Sequence, residues 1–200
     1  MAEEFIDILT EEHRQLRDVL LELIDAFENG DSERASVAIE AMAALAAPHF
    51  HYEQEVLYPA LAEVHGDEQV EQLVEQHGEA VAAAQQLAEL AEQEEFDEQA
   101  AAYGAELARQ LLPHVSNGDE LMVMVGGLEP QTIKKIHKAQ KQSKKSGATL
   151  AGLAKSAAKK GAKKKIERKA AHKRSAKPVR TSTRRPNVPK SAAGAKRRRK

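Results

Sequence analysis

Pro48-His49-Phe50-His51-Tyr52-Glu53-Gln54-Glu55-Val56-Leu57-Tyr58-Pro59 is the stretch whose reading decides how this chain folds. His49 and Glu53 are four residues apart, so on an α-helix they stack one turn apart on the same side. Met42, Leu45, Ala46 and Val56 fall on that side at helical spacing, which puts both polar side chains on the stripe that turns inward. A carboxylate and an imidazole directed into a core cost several kcal/mol unless they meet partners or a cation. The arrangement also occurs twice. His13 precedes the pair His49 and Glu53 by 36 residues, and His77 precedes the pair His114 and Asp119 by 37. Both pairs begin with the same dipeptide, Pro48-His49 and Pro113-His114. With eight histidines in 200 residues, four in a repeated frame point to a metal site.

The same periodicity extends over residues 5–125. In the first segment Leu9, Leu16, Leu20, Leu23 and Phe27 mark a stripe on which His13 sits, with Thr10 as N-cap and Asn29-Gly30 as the stop. Ser32 caps a second helix that runs to about Tyr58, ahead of Pro59. A third, from about Asp67 to Gln93, turns Val70, Leu73, Val74, His77, Val81, Ala84 and Leu87 inward. The fourth, from about Asp97 to Val123, carries Tyr103, Leu107, Leu111 and His114 on one face. Proline removes a backbone donor and clashes with the preceding turn, so His49 and His114 are expected at bends. Short connections predict an all-α, up-down antiparallel four-helix bundle over residues 1–128. Gly126-Gly127 and Pro130 close it. A short amphipathic helix from about Gln131 to Ser143, within a linker at 129–145, is expected to pack on the bundle's side.

Charge divides the chain at the same place. Residues 1–133 hold 4 Lys/Arg against 30 Asp/Glu, whereas residues 134–200 hold 26 against the single Glu167. The net charge of −1 therefore averages an acidic half at −26 with a basic half at +25. All seven aromatic residues lie between Phe5 and Tyr103, so the basic part has none with which to build a core. Residues 146–200, rich in Ala, Lys, Arg, Ser and Pro, are expected to form a disordered tail. Cysteine is absent, which excludes disulfides, thiolate zinc sites and cysteine nucleophiles. The acidic N-terminus lacks the basic flank and apolar run of a signal peptide, and no apolar stretch approaches the ~20 residues that span a bilayer. A cytoplasmic location is expected, nucleoid-associated if the source is bacterial.

Four imidazoles with two carboxylates suit iron or manganese better than a structural zinc ion. If both carboxylates bridge, the chain supplies about eight of the twelve or so positions needed by two six-coordinate ions. The pattern His13, His49-x-x-x-Glu53, His77 and His114 resembles the hemerythrin-like HHE cation-binding domain, and His49 to Pro59 is especially similar to that family's second-helix signature. The resemblance covers about residues 5–130. It implies a four-helix bundle holding two non-haem iron ions, with His13, His49, Glu53, His77 and His114 at ligand positions. The fourth helix departs, because the position four after His114 is Gly118. Asp119 matches the spacing of oxygen-carrying hemerythrins instead, with Glu120 as the alternative, while Leu73 stands where those carriers have an extra histidine. Implied ligands are dioxygen, peroxide or nitric oxide, and iron sensing is a further implied role.

The other candidates read differently. His51 lies about 200° round the helix from His49 and is expected at the surface, with support of the site as the alternative. His65 precedes Gly66 in a loop, and His137 and His172 are expected to add polar surface to the basic part. Tyr52 and Tyr58 are expected to pack, and Glu55 to face solvent, with substitution at the metal as its alternative. The tail resembles those of linker histones and some bacterial nucleoid proteins, and is expected to bind a DNA or RNA backbone by counterion release. Folding back onto the acidic bundle is the alternative, and the lack of an amphipathic apolar face argues against a membrane partner. A second function class is thus a nucleoid-associated protein whose bundle is a scaffold or redox sensor. No Gly-x-Ser-x-Gly elbow or phosphate-cradling Gly-Lys loop supports a hydrolase.

Overall fold

The computed structural model describes residues 2–153 except 92, 94 and 117, so the sequence expectations for the tail beyond residue 153, His172 included, lie outside the described residues. Helix α1 spans Ala2–Glu28 and buries Phe5, Leu9, Leu16, Leu20, Leu23 and Phe27. Thr10 lies in its interior and does not cap it. Phe5 and Leu9, both fully buried, carry the apolar stripe two turns further toward the N-terminus. Gly30, at φ 66, makes the left-handed turn that ends the segment, where a residue with a Cβ would be strained.

Asp31, not Ser32, caps the second helix: its side chain accepts from the Arg34 N–H at 3.0 Å. Helix α2, Ser32–Tyr52, does not stop before Pro59. It passes into a π-helical turn, Glu53–Leu57, and from there into α3, Tyr58–His65. Pro59 has no N–H to donate, and in an unbroken α-helix its ring would strike the carbonyl of residue 55. The wider turn relieves that conflict, with Tyr58 N–H reaching back five residues to the Glu53 carbonyl. The chain therefore continues past Pro59 with Glu53 at the start of the irregular turn.

Helix α4 is Asp67–Leu90, and α5 is Glu98–Ser116, where Asp97 Oδ1 accepts from the Ala100 N–H at 2.8 Å. The expected single fourth helix is two. Helix α5 ends at Ser116, and α6 is Asp119–Gly126. Pro113 and the glycine at 118 both weaken helix continuity there. Helix α7, Pro130–Lys145, matches the expected amphipathic helix and packs against α2, α1 and the π turn. The chain does not leave the body at residue 146. Gly147 turns at φ 64, Leu150 and Leu153 are buried in the main apolar cluster, and Gln85 on α4 donates to the Leu150 carbonyl at 3.0 Å. Two leucines three residues apart suffice to dock a segment whose composition otherwise reads as tail.

The described residues form an all-helical bundle in which α1 packs on α2 and α5, and α4 packs on α5 and α2. Its apolar interior falls into two clusters. One gathers Leu16, Leu20, Leu23, Phe27, Ile39, Met42, Leu87, Leu107 and Leu111; the other gathers Phe5, Leu9, Tyr52, Leu57, Leu61, Leu121, Val125 and Ile136. Along α1 the boundary falls between Leu9 and Leu16, and His13 occupies it. His49, His77 and His114 each lie between residues of the two clusters on their own stretches of chain. Of the described glycines, Gly104 has the least room: an added Cβ there would collide with the Phe27 ring. That ring is already held edge-on by Phe96, with centroids 5.2 Å apart. Gly104→Val is expected to destabilise the protein by about 2–3 kcal/mol through overpacking, read from urea denaturation midpoints at unchanged m-value.

Candidate metal centre

Four helical segments each deliver one histidine to the layer between the clusters: His13 from α1, His49 from α2, His77 from α4 and His114 from α5. Glu53, fully buried at the start of the π turn, stands at their centre. Its Oε1 lies 3.3 Å from His49 Nε2 and 3.7 Å from His13 Nε2. Its Oε2 lies 3.2 Å from His77 Nδ1 and 3.3 Å from His114 Nε2. The rings crowd one another, with His13 and His49 centroids 4.9 Å apart and His77 and His114 5.3 Å apart. Phe50 stacks edge-on to both His77 and His114, and Tyr58 to His77, closing the layer with apolar surface.

These close approaches do not have hydrogen-bond geometry. Both Glu53 oxygens, the Nε2 atoms of His13, His49 and His114, and both ring nitrogens of His77 are buried without a hydrogen-bond partner. Such a group left unsatisfied costs about 1–3 kcal/mol each, so seven in one place demand an explanation. A cation held among them would supply it. Atoms bound about 2.1 Å from one ion stand roughly 3.0–3.4 Å apart in octahedral or tetrahedral geometry, close to the spacings around Glu53. Donor atoms of His13, His49, Glu53 and His114 all lie within 4.8 Å of one another, enough to hold one ion. Imidazole nitrogens and a carboxylate with no thiolate fit iron, manganese or zinc, so the residues present fit a metal cation.

The electrostatics follow from the same geometry. Burial pushes the Glu53 carboxyl upward, but His49 and His114 outweigh it and hold it well below the usual carboxylate range. Burial lowers His13 and His114, only partly offset by Glu53. It also acts to lower His49, yet Glu53 and then Glu12 overcome it and leave this one imidazole raised. His49 is flanked by two carboxylates: Nε2 faces Glu53, and Nδ1 lies 3.1 Å from Glu12 Oε2.

The family model described as the hemerythrin HHE cation binding domain matches residues 4–125. The chain belongs to this family. No curated protein and no solved structure matches it. Within the HHE domain the structure brings together His13, His49, Glu53, His77 and His114. It does not bring in Asp119. Helix α5 ends at Ser116 and α6 begins at Asp119, so the five-residue spacing from His114 does not run along one helix. Asp119 is exposed and lines a surface depression with His65, Gln69, Glu120, Val123 and Met124; Glu120, its alternative, is exposed beside it. Position 118, four after His114, does abut the cluster: a Cβ there would stand 3.3 Å from His13 Nδ1. Glycine fills that place, so Glu53 is the sole carboxylate among the described residues of the group that could hold an ion.

Several residues acquire roles that differ from the sequence expectation. His51 is not a surface group: its Nδ1 lies 2.6 Å from Ser143 Oγ on α7, which covers that side of α2. His137 packs against Phe5 at a centroid distance of 6.0 Å. His65 is structural as expected, with Nε2 3.1 Å from the Met124 carbonyl. Glu55 is half-buried. Tyr52 packs as expected, but its hydroxyl also donates to Glu12 Oε2 at 2.8 Å. Glu12 is the residue that sequence reasoning missed. It is three after Leu9 and four before Leu16, the same stripe arithmetic that singles out His13, and that signal would have found it.

Proposed function

We propose that this HHE protein holds two non-haem iron ions and binds or reacts with a small oxidant or diatomic ligand, of the class of dioxygen, peroxide or nitric oxide, or senses iron. The observation that carries this reading is the split of the Glu53 carboxylate, with His13 and His49 on Oε1 and His77 and His114 on Oε2. Glu53 would hold the ions together with His13 and His49 on one side and His77 and His114 on the other. Bound iron would supply electron transfer to the small ligand. The protein's own part is to exclude bulk water with Phe50, Tyr58 and the two apolar clusters. The up-down antiparallel course of the four long helices belongs to the same proposal. Full-length protein grown with iron should carry close to two iron ions per chain and change its optical spectrum on exposure to air. The double variant His49→Ala plus His114→Ala should lose both properties. Iron-free wild-type protein after supplementation would overturn the reading.

The second part of the proposal concerns the basic residues. Twenty-six Lys/Arg beyond residue 133 motivate a phosphodiester partner, bound through counterion release without base readout. Lys134, Lys135, Lys138 and Lys141 stand exposed on α7 and begin that surface within the folded body. Leu150 and Leu153 belong to the core, so the informative truncation removes residues 154–200 and leaves them in place. Duplex DNA binding by the full chain should fall steeply with salt, and the truncated chain should lose most of it at 50 mM salt. Equal affinity for both would overturn this part, and would favour charge pairing between the tail and the acidic bundle.

A further inference from the structure

Four groups converge on the Glu12 carboxylate, and two of them come from a helix outside the family's matched span. Oε2 accepts from the Tyr52 hydroxyl at 2.8 Å and lies 3.1 Å from His49 Nδ1. Oε1 accepts from Gln140 Nε2 at 2.6 Å and from Lys144 Nζ at 2.7 Å. Gln140 and Lys144 belong to α7, whereas the HHE match ends at residue 125. The same helix buries Ile133 and Ile136 and meets His51 through Ser143. Among the described residues, Glu12 is the carboxylate that touches a candidate ligand on one side and α7 on the other.

We propose that α7 is a coupling helix: Glu12 positions His49 for the metal, and Gln140 and Lys144 position Glu12, so that metal loading and α7 docking strengthen each other. The proposal rests on the metal reading above. A carboxylate that accepts from Nδ1–H fixes the imidazole's orientation and leaves the Nε2 lone pair for the ion. Glu12 itself has little side-chain exposure, so an oxygen deprived of its α7 partners would be left buried and unsatisfied, and the carboxylate would turn from His49 to find others. Linkage makes the effect reciprocal: whatever α7 docking contributes to metal affinity, bound metal returns to docking. Lys144 is the member of this group open to solvent, with a side chain 52% exposed against 8% for Glu12. The next residues after α7 are the turn and the two buried leucines that precede the basic segment. The metal layer is thus connected by three consecutive side-chain contacts, Glu53 to His49 to Glu12 to Lys144, to the part of the chain that leads into that segment.

The test uses full-length protein with iron(II), added anaerobically. Glu12→Gln should weaken iron(II) binding by about 10- to 100-fold, the usual effect of losing a partner behind a metal-bound histidine. Lys144→Ala, at a solvent-facing position that does not threaten folding, should weaken it severalfold, and Lys144→Arg should restore most of the loss. Amide exchange across residues 133–145 should slow when iron(II) is added to wild-type protein and change little in Glu12→Gln, a difference that a merely structural role for Glu12 would not produce. Wild-type protein that binds iron(II), with Glu12→Gln and Lys144→Ala binding it equally tightly and α7 exchange indifferent to metal, overturns the coupling alone. Wild-type protein that binds no iron(II) overturns the metal reading and the coupling with it.

Discussion

If the proposed iron site is right, Glu53→Gln is expected to abolish stoichiometric iron binding and any rise in Tm on adding iron(II). Glutamine keeps the shape of the side chain but removes the only carboxylate in the group that could hold an ion. It also replaces one acceptor oxygen with an N–H donor, which would point at imidazole nitrogens already without partners. Loss of affinity should reach about 100-fold or more, given that charged ligands dominate the affinity of such donor sets. At a free metal concentration 100 times the wild-type dissociation constant, binding stabilises the folded state by about 2.7 kcal/mol; a 100-fold weaker site leaves about 0.4 kcal/mol. Thermal unfolding with and without iron(II) measures this directly. A variant that retains full metal content would show that the carboxylate is not the bridge.

The second large effect is acid destabilisation of the metal-free protein, in two steps. His13 and His114 are lowered in the folded protein, so below about pH 6.5 the unfolded chain takes up protons that the fold does not. Their contribution is present above that pH and is lost as pH falls. His49, being raised, acts in the opposite sense: its contribution is complete below 6.5 and lost as pH rises through its folded value. Two imidazoles against one should give a shallow loss of stability between pH 7 and 5. Below pH 4.5 the carboxylates take over. Burial raises Glu12, but His49, then Lys144 and Gln140, hold it at about 2, and Glu53 lies well below its usual range. Both contributions are present above 4.5 and vanish as pH falls through the folded values, with Glu12 alone worth on the order of 3 kcal/mol. Urea denaturation at pH 8, 6.5, 5 and 3.5, in chelator, should show the shallow and then the steep segment. A profile flat to pH 3.5 would contradict the buried carboxylates. Iron-loaded protein should lose its metal within the first segment, because its ligands must be free of protons to bind.

The bundle and the five clustered residues could be read from the sequence because both rest on one local regularity, the 3.6-residue period. Leu9, His13 and Leu16 share a stripe whatever the tertiary details. What escaped the reading depends on events that periodicity does not carry. Pro59 looked like a terminus because a regular α-helix cannot pass it, yet the π turn at Glu53–Leu57 lets the chain continue. Asp119 reads as a ligand only if α5 continues as far as it, and α5 ends at Ser116. The His-Asp spacing has meaning only on a continuous helix. Gln140 and Lys144 were beyond any local signal, since their significance comes from the arrival of α7 beside Glu12, 128 residues away in sequence for Gln140. Leu150 and Leu153 were lost in the composition of their surroundings: two apolar residues among many lysines do not register in an average, but they suffice to hold a segment on a core.

The layer of imidazoles between two apolar clusters has a bearing on how the molecule comes apart. Among the described residues, the buried apolar side chains gather into two separate clusters, one on either side of the histidine layer along α1. Without an ion, the contacts in that plane are unsatisfied polar atoms, which do little to transmit order from one nucleus to the other. With an ion, every long helix is tied to the same point. The cation then acts as a rivet that makes two nuclei unfold as one, and the sharpness of the transition, more than its midpoint, should record whether the rivet is in place.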